Sequence, residues 1–153
     1  MSLSDDERYA LVTYRMEKAR NTLEQVKTIV PLGYWDMIAN RLYYAAYYAV
    51  SALLLQDGYS VQTHHGIIQM LGLHYIKTGI LDSKHGTLYG QLFSLRQTGD
   101  YGDTFGLTEA QVLPLLPQTE ELINAVASII NEKNKKARQE YRAEVKEIKE
   151  LQL

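Results

Sequence analysis

One short run concentrates the residues whose chemistry matters most: Asn40-Arg41-Leu42-Tyr43-Tyr44-Ala45-Ala46-Tyr47-Tyr48-Ala49-Val50. Arg41 is the only cation between Lys27 and Lys77. On a helix, seven residues make about two turns, so Arg41 and Tyr48 share a face roughly 10 Å apart along the axis. Tyr44 and Ala45 lie between them. A guanidinium with phenols on the same face can hold a phosphate, the cation taking the oxygens and the hydroxyls adding hydrogen bonds. The competing assignment is structural. In it Arg41 pairs with a carboxylate such as Asp36, Asp100 or Asp103, and the tyrosines fill core space.

A second cluster is Asp100-Tyr101-Gly102-Asp103, which follows Arg96-Gln97-Thr98-Gly99. Two carboxylates three residues apart can orient an arginine or act as acid and base. Aspartate and glycine are also what a tight turn selects. The four histidines are His64, His65, His74 and His85. Adjacent helical residues point about 100° apart, so His64-His65 is a poor metal pair, and no carboxylate stands at ligand spacing. A single histidine such as His64 can still line a cleft. No dinucleotide fingerprint, P-loop or nucleophile elbow occurs. The basic residues Lys133, Lys135, Lys136, Arg138 and Arg142 are interleaved with Glu132 and Glu140, which reads as a solvated face.

The elements that must position these groups are helices. The chain has 153 residues, 46% hydrophobic and 22% charged, with no cysteine and a net charge of −2. That is one domain with a real core, without thiol chemistry, disulfides or a bulk basic field. Residues 31–80 carry only Asp36, Arg41, Asp57 and Lys77, whereas residues 131–153 carry seven basic and five acidic side chains. Residues 1–130 are therefore expected to form the bundle and 131–153 a charged helical extension. The acidic start, Asp5-Asp6-Glu7, and the lack of a long apolar run predict a cytoplasmic protein with no membrane contact.

Ser4 to Glu7 reads as a capping box. Val12, Met16, Ala19, Leu23, Val26 and Val30 then mark one stripe of a long first helix, stopped at Pro31-Leu32-Gly33. A second helix runs from about Trp35 to Gln56. A third is capped by Ser60 or Thr63, with Ile67, Ile68, Leu71 and Tyr75 on one face. A fourth starts at Asp82, buries Leu88, Leu92 and Leu95, and is expected to end on a left-handed Gly99. Thr108 to Gln111 is a second capping box, opening a fifth helix that Pro114 and Pro117 kink or split. The result is an all-α, up-and-down bundle of about five helices.

Taken in order, Asn40-Arg41-x-Tyr43-Tyr44-Ala45-Ala46, Ala52-Leu53-Leu54, Thr63-His64-His65-Gly66, Phe93-x-x-Arg96 and Gly99-Asp100-Tyr101-Gly102-Asp103 resemble the HEPN domain (higher eukaryotes and prokaryotes nucleotide-binding), in its small prokaryotic single-domain branch. The resemblance implies a homodimer that is often encoded beside a minimal nucleotidyltransferase as a toxin–antitoxin pair. Active members are metal-independent endoribonucleases, with an arginine followed at four to six intervening residues by a histidine. Arg41 matches the arginine, and Asn40 the polar residue before it. The histidine would fall at position 48, which holds Tyr48. An imidazole with a pKa of about 6.5 can take a 2′-hydroxyl proton near neutrality, whereas a phenol at about 10 is a poor base there.

The expectation is thus a nucleotide- or RNA-phosphate-binding homodimer with a degraded nuclease motif. Asn40, Arg41, Tyr44, Tyr48, Asp100 and Tyr101 form its site, and no metal or cofactor is needed. An active endoribonuclease using Arg41 with a substitute base, His64 or a residue of the partner protomer, is one alternative. A non-catalytic interaction module with a structural Arg41 is the other.

Overall fold

The computed structural model describes residues 3–101 and 106–151, and among them every regular element is helical. Helix α1 (Asp5–Ile29) begins on Ser4, whose hydroxyl accepts from the Glu7 amide at 3.1 Å, and it carries Asp5, Asp6 and Glu7 in its first turn. Acid there satisfies the free amides and the helix dipole. A single turn of 3₁₀ helix at Val30–Leu32 and Gly33, at φ 72°, end it as the proline and glycine require.

Helix α2 (Trp35–Gln56) is the axis of the bundle, packed against α1, α4 (Ser83–Tyr101) and α6 (Leu115–Leu151). Its composition explains the place. Ala39, Ala45, Ala46, Ala49 and Ala52 are all buried, and small side chains let three neighbours approach one helix. Leu42, Leu53 and Leu54 fill the space between. Burying such side chains contributes roughly 1.5–3 kcal/mol each.

Helix α3 (His64–Leu71) is capped by Thr63, which accepts from the Gly66 amide at 2.9 Å. It passes into a π-helical segment, Gly72–Ile76, that buries Tyr75. Asp82 accepts from the Lys84 amide at the start of α4. On α4, Leu88 and Leu92 are buried and Leu95 is partly covered, but the fully enclosed residue between them is Tyr89.

Gly99 departs from expectation. It lies inside α4, not at a left-handed cap, and Asp100 and Tyr101 continue the helix. Its role is close approach. A Cβ there would stand 3.2 Å from Leu107 and 3.5 Å from the Asp36 carboxylate. Asp36 in turn accepts from the Leu107 amide at 2.7 Å, tying the segment before α5 (Glu109–Val112) to the start of α2. Gly99→Val should therefore force γ-carbons into Asp36 and Leu107 and destabilise by about 1–3 kcal/mol in chemical denaturation. Unchanged stability would mean that this approach has slack.

The second capping box forms at Thr108 and Gln111, and Pro114 separates the short α5 from α6. Helix α6 is continuous over 37 residues, with no break near residue 130. Its buried residues end at Ile130. One turn further, Lys133 donates to both oxygens of Asp57 at 2.5 and 2.6 Å. The buried Tyr75 hydroxyl donates to the same carboxylate. Beyond that anchor the helix is mostly exposed, with Tyr141, Ile148 and Leu151 open. No helix among the described residues is long and apolar enough to cross a membrane.

Candidate nucleotide-phosphate site

Helix periodicity puts Arg41, Tyr44 and Tyr48 on one face of α2, and all three are half-buried. Arg41 and Tyr48 line the same groove between α1 and α2, with Tyr14, Lys18, Asn21 and Gln25 opposite and Glu17 as its one carboxylate; the groove holds about 340 Å³. The Lys18 ammonium sits 4.6 Å from the centre of the Tyr48 ring. A cation over a phenol face is favourable by roughly 0.5–1 kcal/mol at a wet site. Lys18 enters only through the α1–α2 seam, so nothing local in the sequence marks it.

Two of the three carboxylates that could pair with Arg41 are engaged elsewhere. Asp36 holds the Leu107 amide, and Asp100 pairs with Arg96, Nε to Oδ2 at 3.3 Å. Asp103 lies outside the described residues, as does the side chain of Tyr101. Arg41 donates from Nε and Nη2 to the side-chain oxygen of Asn40, at 3.1 and 2.9 Å. The Asn40 amide nitrogen donates to Asp100 at 2.9 Å. Asp100 thus aims Arg41 through a neutral relay. Among the described residues no carboxylate reaches ion-pair distance of Arg41.

Arg96 belongs to this site although spacing alone did not single it out. The one local signal is Asp100 four residues on, the helical ion-pair distance. Its guanidinium carbon lies 5.2 Å from the centre of the Tyr44 ring, and that of Arg41 lies at the same distance. Tyr44 is the common platform of two arginines, one from α2 and one from α4. Arg96 also lies 5.5 Å from the ring of Tyr43.

His64 is brought to this cluster from α3. Its ring centre is 6.3 Å from Tyr44 and 5.3 Å from Tyr47, and its Nδ1 lies 2.5 Å from the hydroxyl of the fully buried Tyr43. Burial lowers the His64 pKa below the ordinary histidine value, and the charges of Arg96 and His65 lower it further. Both effects favour the neutral imidazole. Burial raises the pKa of Tyr43, so its hydroxyl keeps its proton. Of the other histidines, His65 lies 5.2 Å from the Phe93 ring, beside His64, and the remaining two stand apart. His74 stacks on Tyr59 at 4.2 Å, and His85 is buried in α4. Among the described residues no group of metal-ligating side chains comes together.

Comparison with known proteins follows the same lines. The HEPN-domain family model matches residues 12–148. A UPF0332 protein of Thermotoga maritima is 31% identical over 127 residues, covering 83% of this chain and 96% of that protein. Two proteins of Methanocaldococcus jannaschii, each bearing the name "Putative toxin", are also similar. One is 29% identical over 78% of this chain and 81% of its own length, the other 28% over 65% and 72%.

Proposed function

This chain belongs to the HEPN-domain family, and from that premise we propose that it is a homodimer binding nucleotide or RNA phosphate at Arg41, with its nuclease chemistry degraded at Tyr48. The observation that carries the reading is the disposition of Arg41. Its guanidinium is aimed by Asn40 and lines a groove beside Tyr48 and Lys18. Asp100 supports Asn40 from α4. A phosphate in the groove would meet Arg41 as a fork and Lys18 as a point charge. Tyr44 and Tyr48 offer rings for bases, at roughly 1–3 kcal/mol per stacked base. Tyr101 is proposed as a further aromatic contact from the end of α4.

Toxin names among the relatives support a toxin–antitoxin setting. A minimal nucleotidyltransferase as partner protein and the cytoplasm as compartment belong to the same proposal. In this reading residues 1–130 form the binding domain and 131–153 an extension that reaches the partner copy. Symmetric pairing also covers the large apolar residues left open on the bundle, Met37 and Tyr34 among them. Light scattering at micromolar concentration should return twice the 17.5 kDa chain mass. A clean monomer at tens of micromolar removes the paired cleft.

The phosphate site is tested by fluorescence anisotropy with a short single-stranded RNA. Affinity should fall steeply with salt, log K against log salt sloping by about −0.7 for each phosphate neutralised. Binding absent at low salt overturns the reading.

A further inference from the structure

Two buried tyrosines lie behind His64, and their hydroxyls decide which of its nitrogens carries the proton. Tyr89 is fully enclosed, and its hydroxyl lies 3.4 Å from that of Tyr43, its partner among the described residues. The Tyr89 proton has that oxygen to go to. With this bond made, the Tyr43 proton cannot point back at Tyr89 and must go to the other neighbour, Nδ1 of His64. In the reverse order His64 would donate to Tyr43 and Tyr43 to Tyr89. That leaves the Tyr89 proton buried without an acceptor, which native interiors avoid. The chain therefore runs one way, from Tyr89 to Tyr43 to Nδ1.

A neutral imidazole whose Nδ1 accepts must carry its proton on Nε2. With Nδ1 turned toward a fully buried hydroxyl, Nε2 stands across the ring from it, on a residue that is only partly buried. The ring as a whole lies in the cluster that Tyr44 and Arg96 share.

Building on the phosphate-site reading above, we propose that Tyr43 is a positioning residue. Backed by Tyr89, it fixes neutral His64 as the Nε2–H tautomer, and His64 gives the site a hydrogen-bond donor for a phosphate oxygen, not a base. The surroundings agree from every side. Tyr43, Tyr44 and Tyr47 of α2 and Phe93 of α4 enclose the ring, and the titratable or charged groups that act on it are Arg96 and His65. A second cation there disfavours imidazolium, so the donor is the neutral ring. A histidine held in this tautomer cannot replace the missing histidine at position 48 as proton acceptor.

The test begins on the free protein. Long-range ¹⁵N–¹H spectra of ¹⁵N-histidine-labelled protein at pH 8, with His64 assigned by its loss in His64→Gln, should show the Nε2–H pattern. Tyr43→Phe keeps the ring and removes the hydroxyl, and should shift His64 toward a tautomer mixture. A dominant Nδ1–H form in the wild type, or a His64 spectrum indifferent to Tyr43→Phe, overturns the proposal.

A labelled oligouridylate then probes the donor. His64→Gln places an amide N–H near the Nε2 position and should bind close to wild type, whereas His64→Ala should lose roughly tenfold or more. Equal loss in both variants overturns the donor role. If the wild type shows the Nε2–H tautomer yet binds no RNA at all, the tautomer stands. The phosphate site, and the donor role with it, then falls.

Discussion

Arg41→Ala is expected to weaken binding of short single-stranded RNA by roughly 10- to 100-fold while changing folding stability by about 1 kcal/mol or less. The two halves of this expectation come from the same geometry. Arg41 spends two of its N–H groups on its neighbour Asn40, and its partial burial comes from lining a groove and lying over Tyr44. Removing it strands no carboxylate among the described residues, because Asp100 keeps Arg96 and Asn40. A structural ion pair behaves otherwise, since breaking one from a single side costs about 3–5 kcal/mol. Paired measurements of RNA anisotropy and chemical denaturation therefore separate a binding arginine from the scaffold arginine of an interaction module. A large loss of stability with no RNA binding in the wild type would establish the latter.

The same residue shows how far the sequence could be read. Helical spacing was enough to put Arg41 and Tyr48 on one face, and the structure has both in one groove. The extents of α1 and α2 were equally legible, because Ser4, Gly33 and the scarcity of charge between residues 31 and 80 act locally. Gly99 misled because a glycine before aspartate has two uses, a left-handed cap or a close helix approach, and the choice depends on Asp36, 63 residues earlier in the chain. Arg96 had no site role legible beyond its place in the motif, and Lys18 none at all, for the same reason. Each matters through a tyrosine on another helix, and ring-to-cation contacts leave no spacing signal. Tyr43 was hidden among four tyrosines within six residues. Burial distinguishes it, since Tyr43 is fully enclosed while Tyr44, Tyr47 and Tyr48 are partly open.

Tyr48→His should convert the protein into a metal-independent endoribonuclease, raising cleavage over the wild type by up to about 10²–10⁴-fold, the usual worth of a positioned base. The reaction needs one group to take the proton from a ribose 2′-hydroxyl. The freed 2′-oxygen then attacks the adjacent phosphorus, and the 5′-oxygen departs with a proton. The products are a 2′,3′-cyclic phosphate and a 5′-hydroxyl. Arg41 can hold the phosphate oxygens throughout, and it already faces the groove from the same side as residue 48. What position 48 lacks is a side chain that accepts a proton near neutrality, and the groove's one carboxylate, Glu17, stands across it on α1. An imidazole at position 48 would lie beside the Lys18 ammonium, which now sits 4.6 Å from the Tyr48 ring. That charge disfavours imidazolium and keeps the new base neutral at pH 7. His64 cannot supply the function if Tyr43 holds its Nδ1. The wild type should accordingly cleave slowly or not at all, with or without magnesium. Wild-type cleavage that vanishes in Arg41→Ala but survives Tyr48→Phe would overturn this account, and it would place the base on another residue of the cleft.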